Sequence, residues 1–209
     1  LAEATGTPVH IAHISTKNAV DLVRQAKKRG VQVTAEVTPQ HLIFTDEALR
    51  TFETRYKMNP PIRSDIHRDA CVEGLKDGTI DAVVTDHAPH EWEEKDQEFN
   101  LAPSGFVGLE TSVGAMLTHL YHTGIIDLMS LVNVMSTAQA KILNLDAGVI
   151  APGKDADLTF LDLDKEWTVD SSKFYSKGKS TPFDEMIFKG KAAATIVNGK
   201  FVMKNGEVL

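Results

Sequence analysis

Cysteine is almost absent: Cys71 is the only one in 209 residues. A lone thiol excludes an internal disulfide framework, and a reducing, cytoplasmic setting is expected. Basic residues are not in excess either. Lys and Arg number 22 against 29 Asp and Glu, a formal net charge of −7. A nucleic-acid-binding role therefore has no electrostatic footprint. No apolar run approaches the ~20 residues of a membrane-spanning helix. Low-complexity segments and internal repeats are missing too. What is present is an ordinary globular composition, 42% hydrophobic and 24% charged. The length suits one medium domain, or one domain with a small appendage. The chain opens on "LAEATGTPVH", without Met, and reads as though cut in mid-fold.

Up to about Leu145, short apolar runs alternate with helical patterns. "PVHIAHIS" reads as a strand ending near His13, with Ser15 or Thr16 capping the next helix. In "KNAVDLVRQAKKRG", Ala19, Val20, Leu22, Val23 and Ala26 form a stripe at helical spacing, closed by Gly30. "VQVTAEV" and "DAVVTDH" are two further strands. Between them lies a helix over "DIHRDACVEGLKDG", with Ser64 as its cap and Gly78 as its stop. "GLETSVGAMLTHLYHTG", "IDLMSLVNVMS" and "TAQAKILNL" read as three more helices, the first with Val113, Met116, Leu117 and Leu120 on one face. Strands separated by helices imply a parallel sheet with right-handed crossovers, either open or part of a (β/α)8 barrel. From about Asp146 the texture becomes strands and turns. Asn198-Gly199 sits between two alternating runs as a hairpin turn. The expected organisation is α/β over residues 1–145 and a small β-rich domain over 146–209.

In parallel α/β folds the side chains at the C-terminal ends of strands build the site. His13 ends the first strand, Asp86 ends the third, and His87 and His90 follow. Imidazole and carboxylate suit Zn²⁺, and a carboxylate beside a metal-bound water can shuttle its proton. Each residue also has a plain structural reading: a packed histidine, a turn-capping aspartate, a solvated loop histidine. Spacing alone leaves these open. His10 has the opposite strand parity to His13 and is expected to pack or hydrogen-bond. Glu36 either faces the site or pairs with a loop cation, and His87 either supports a ligand or is structural. His41 is read as structural, His119 and His122 as solvated, and Cys71 as a helix-packing residue. The acidic loop "HEWEEKDQEFN" reads as mainly solvated surface that can also cover the site.

"TDHAPH", "EEK" and "PSGFVGLET" together resemble the dihydroorotase signature of the amidohydrolase superfamily. Within that group the chain resembles the bacterial enzymes related to the dihydroorotase part of the animal multifunctional pyrimidine protein. "VHIAHIST" resembles that family's sixth barrel strand and "VTAEVTPQHLIFT" its seventh. "KMNPPIRS" resembles the segment that supplies a substrate-binding Asn, and "GVIAPGKDADLTFLDLD" its closing β-domain. The resemblance implies the C-terminal part of a TIM-type metallo-dependent hydrolase barrel with a β-rich domain. It implies a binuclear zinc centre with His13 and Asp86 as ligands, and Asp86 as general acid/base. Asn59, His90, Ser104 and Gly105 would bind substrate. The implied reaction interconverts L-dihydroorotate and N-carbamoyl-L-aspartate in pyrimidine synthesis, in a homodimer able to associate with aspartate transcarbamoylase.

The family's early His-x-His-x-Arg, its bridging carboxylate and a further His have no counterpart in these residues. The expectation is therefore a fragment, inactive alone and weak in zinc binding. Two other readings stand beside the first. One is a hydantoinase, dihydropyrimidinase or allantoinase, sharing the chemistry on other cyclic ureides. The other is a non-catalytic dihydroorotase-like subunit.

Overall fold

Helix α1, Lys17–Lys28, begins where the Thr16 hydroxyl accepts the Ala19 N–H at 3.2 Å. It ends in Lys27 and Lys28, which suit the negative end of the helix, and Gly30 takes the left-handed conformation at φ 77°. Of the expected apolar stripe, Val20 and Val23 are buried, while Leu22 remains 66% exposed. The computed structural model describes all 209 residues. They gather into two units, Leu1–Glu110 with Asp170–Asp184, and Thr111–Val169 with Glu185–Leu209.

The first unit is built on a parallel sheet of β1 (Val9–Ile11), β2 (Val33–Val37) and β3 (Ala82–Val83), in that order. In β2 the apolar Ala35 and Val37 are fully buried, while Thr34 and Glu36 on the other face hydrogen-bond His10. Helix α2, Asp65–Lys76, follows Ser64, whose side chain makes no capping bond. α1 and α2 approach closely at Gly74, where an added Cβ would lie 2.8 Å from Val20 Cγ1. The Asp81 carboxylate joins these elements. It accepts the Ala35 N–H at 2.8 Å and the Lys27 ammonium at 2.7 Å, so β3 is tied to both β2 and α1. Val20, Val37, Cys71, Ile80 and Val83 fill the space between. Each of the four aliphatic side chains among them contributes roughly 1.5–3 kcal/mol of burial.

Two strands stop earlier than the sequence pattern implies. The first ends at Ile11 rather than His13, and "DAVVTDH" yields only Ala82–Val83. His13 and Asp86 themselves have φ of 32° and 48°, which no strand tolerates, so neither strand can run through them.

In the second unit, α3 (Ser112–Met116) widens into a π turn over Leu117–Tyr121. Met116, Leu117 and Leu120 are buried, as the helical spacing implies. His119 is not solvated: its ring lies edge-on to Phe188 with its Nε2 buried and unpartnered, and burial lowers its pKa. His122 hydrogen-bonds the Leu163 carbonyl at 2.8 Å. The two helices expected after it run together. α4 (Leu128–Val132), a π segment (Asn133–Thr137) and α5 (Ala138–Ile142) are continuous, and Asp127 caps the start. The antiparallel sheet comprises β4 (Leu158–Thr168), β5 (Ile187–Val197), β6 (Lys200–Lys204) and β7 (Glu207–Val208). Asn198 and Gly199 have φ of 48° and 75°, the paired left-handed residues of a type I′ turn. No helix is long and apolar enough to cross a membrane.

Candidate functional site

The site is assembled within the first unit, from the ends of β1, β2 and β3. His13 follows β1 and Asp86 follows β3, so β2 lies between them. Both are non-glycine residues in left-handed backbone, a conformation that costs about 1–3 kcal/mol each and concentrates at functional positions. The His13 Nδ1 is buried and has no hydrogen-bond partner. An orphaned buried imidazole nitrogen is the donor chemistry a metal would satisfy. The half-buried Asp86 carboxylate enters no hydrogen bond or ion pair within the chain. These two donors fit a zinc-type ion, but no three His, Cys, Asp or Glu side chains converge on one point. A four-coordinate site needs further ligands.

Glu36 on β2 holds the His13 segment. Its Oε1 accepts the His13 N–H at 3.4 Å, and its Oε2 meets His10 Nε2 at 2.8 Å. His10 Nδ1 in turn meets the Thr34 hydroxyl at 2.7 Å. His10 is thus a hydrogen-bonding residue, and Glu36 is committed to histidine and backbone rather than to a loop cation.

His41, just past β2, is buried. Its Nε2 donates to the Pro60 carbonyl at 3.0 Å, and its Nδ1 meets the Thr38 hydroxyl at 2.8 Å. A carbonyl can only accept, so Nε2 carries the proton and Nδ1 accepts from Thr38. Burial, the largest cause, pushes the imidazole down to about 4, so the ring is neutral. Through Pro60 it anchors the exposed Asn59, joined to Pro60 by a cis peptide bond. On the other side of Asn59, Met58 is buried with Ile62 and Phe106.

Three segments are laced together. Residue 57 accepts the Gly105 N–H at 2.9 Å, and Ala88 N–H donates to the Phe106 carbonyl at 3.0 Å. His90 Nε2 donates to the Ser104 carbonyl at 3.0 Å, while its Nδ1 lies 3.2 Å from the Glu94 carboxylate. His87 Nδ1 accepts the N–H groups of Gly108 and Leu109 at 3.2 and 3.4 Å, a structural use of that ring. Asn59, His90, Ser104 and Gly105 are therefore on adjoining segments. Gly105 has φ 122°, and a Cβ there would lie 2.7 Å from Ala88 Cβ, so only glycine fits.

Sequence reasoning includes Lys95 in the "EEK" motif but gives it no role and no burial. It stands in an acidic loop that otherwise reads as solvated, yet it is 2% exposed and donates to the Pro103 and Gly105 carbonyls at 3.0 and 2.9 Å. It also missed the segment around Gly178, where an added Cβ would lie 2.8 Å from the His90 carbonyl. Neither carries a local pattern that signals burial.

The amidohydrolase family profile matches residues 1–202. A dihydroorotase of Pelotomaculum thermopropionicum is 50% identical over 205 residues, covering 98% of this chain and 48% of its own length. One from Bacillus licheniformis is 48% identical over 209 residues, covering 100% and 49%. Among solved structures, an L-hydantoinase (dihydropyrimidinase) from Arthrobacter aurescens superposes with a TM-score of 0.94 at 36% identity, over 99% of this chain and 47% of that one. A dihydropyrimidinase from Brevibacillus agri gives 0.93 at 25% identity, over 100% and 47%. The chain spans about half the length of the relatives it matches. The α/β class and the barrel-type fold expected from the sequence agree with this likeness, and the chain belongs to the amidohydrolase family.

Proposed function

We propose that these residues are part of a zinc-dependent dihydroorotase, which interconverts L-dihydroorotate and N-carbamoyl-L-aspartate by opening and closing a cyclic amide. The structural observation behind it is the pairing of His13, with its orphaned buried Nδ1, and Asp86, both in left-handed backbone at the ends of β1 and β3. The identity of about half to curated dihydroorotases supports the substrate.

The Asp86 carboxylate would hold the first metal and His13 Nδ1 the second, in a binuclear centre completed by ligands from outside these residues. Bound zinc supplies a Lewis acid and lowers the pKa of water. Asp86 is the general acid/base: its carboxylate takes a proton from the attacking water and returns it to the ring nitrogen as the C–N bond breaks. Asn59 and His90 contact the substrate, and the backbone at Ser104 and Gly105 receives the pyrimidine ring. Glu36 and His41 hold His13 and Asn59 in place. A cytoplasmic location, a homodimer, an association with aspartate transcarbamoylase and a boundary near residue 145 between barrel and β-rich parts belong to the same proposal. So does the inactivity of the 209 residues alone, because the ligand set is incomplete.

The high structural likeness to a hydantoinase favours a second reading, the same chemistry on hydantoin or dihydrouracil. A substrate panel separates them. The full-length chain that contains these residues, loaded with zinc, is expected to turn over L-dihydroorotate in preference to hydantoin, dihydrouracil and allantoin. Preference for another ureide would move the assignment to that relative, and turnover of none would overturn it.

A further inference from the structure

Lys95 is an unusual lysine. It is 2% exposed, and no carboxylate forms an ion pair with it. Its ammonium instead donates to two carbonyls, Pro103 at 3.0 Å and Gly105 at 2.9 Å, on either side of Ser104. Taking an ammonium out of water is costly, and a packing role alone would be served by an apolar side chain of the same length. The charge is retained at one particular place, against the loop that the proposed function assigns to the substrate.

The peptide geometry shows what the clamp achieves. A trans peptide directs its C=O and N–H to opposite sides. With the Pro103 carbonyl held by Lys95, the Ser104 N–H points away from Lys95. No group of the chain accepts it. The next peptide is fixed the other way. The Ser104 carbonyl is taken by His90 Nε2, and the Gly105 N–H by the Lys57 carbonyl at 2.9 Å. The Gly105 carbonyl returns to Lys95. Both polar backbone groups of Gly105 are thus engaged, and the loop is held from two sides.

We propose that Lys95 is a positioning residue: by holding the Pro103 and Gly105 carbonyls it clamps the 103–105 loop in the shape that receives the ring of a cyclic ureide. This rests on the cyclic-amide hydrolase reading above. Lys57 assists from the other side: its ammonium donates to the carbonyls of Phe99 and Asn100 at 2.6 and 3.1 Å, closing the loop that Lys95 enters. Burial, and then the charge of Lys57, lower the Lys95 ammonium to about 8. The other charged groups near it line a shared cavity: Glu53, Arg55, Asp96, Lys179 and Asp184.

The test uses the full-length, metal-loaded chain and its Lys95→Met variant. Loss of two charge-assisted hydrogen bonds should raise KM for the preferred ureide about tenfold, with kcat changed less than about twofold. The wild-type KM should climb as pH rises above about 8, where the ammonium is lost, and the variant's should be flat there. Lys57→Met should move that inflection to higher pH. Hydrogen exchange at the Gly105 amide reads the clamp without substrate and should speed up about tenfold in Lys95→Met. An unchanged KM with unchanged exchange would overturn the inference and leave the hydrolase reading intact. Turnover of no ureide by wild type would overturn that reading, while the exchange result still decides the clamp. Should Lys95→Met fail to fold, a wild-type KM that is flat from pH 7 to 9 would overturn the inference.

Discussion

Replacing Gly105 by alanine tests the local geometry on which the site depends. Two costs arise. The first is backbone: φ of 122° is nearly confined to glycine, and forcing another residue there costs about 1–3 kcal/mol. The second is steric: the new methyl would sit 2.7 Å from Ala88 Cβ and 3.0 Å from the Ala88 carbonyl, against an ordinary carbon contact of about 3.5–4.0 Å. Overpacking of that kind costs roughly 1–3 kcal/mol. The neighbour is backbone and a Cβ, so neither can swing aside. The sum is about 4 kcal/mol, read by urea unfolding of the full-length chain. Gly178→Ala is the control. Its Cβ would meet the His90 carbonyl at 2.8 Å without a left-handed φ, so it should lose only the steric part, about 2 kcal/mol. A Gly105→Ala loss under about 1 kcal/mol, or one no larger than that of Gly178→Ala, would refute the reasoning.

Three further outcomes are expected. His41 is neutral when folded, with its pKa near 4, and about 6.5 when unfolded. Its contribution is complete above pH 6.5 and is lost as pH falls toward 4, by about 3 kcal/mol in all, and His41→Asn should remove that part of the acid dependence. Asp81→Ala, which deletes the acceptor for Ala35 N–H and Lys27, should cost about 2–3 kcal/mol by urea unfolding, and Asp81→Asn less. Cys71 is fully buried with its thiol pushed up to about 11, so iodoacetamide should label it only after denaturation; labelling of the native chain at a denatured-state rate would contradict the packing.

The sequence made parts of this legible for physical reasons. Parallel strands and their helices announce themselves by apolar periodicity and by caps such as Thr16, because those signals are local. The type I′ turn at Asn198-Gly199 is equally local. The ends of the first and third strands are not legible, because the left-handed turns at His13 and Asp86 fall on residues that give no such signal, unlike glycine. The π segments at Leu117–Tyr121 and Asn133–Thr137 have no compositional mark, and helix periodicity runs through them unbroken. His119 appeared solvated because its burial comes from Phe188, distant in sequence. The motif "TDHAPH" brought Asp86 and His90 to notice, whereas Lys95 and His41 depend on carbonyls that only folding brings near.

The central claim is that Asp86 serves as the acid/base of a zinc-dependent dihydroorotase. Its most direct test is the rate of L-dihydroorotate hydrolysis by the full-length chain containing these residues, beside Asp86→Asn, with zinc content measured in both. The account predicts turnover by wild type and a fall of about 10²-fold or more in the variant, even where zinc is retained. Turnover of L-dihydroorotate by Asp86→Asn at the wild-type rate, or none by wild type with its zinc sites filled, would contradict it.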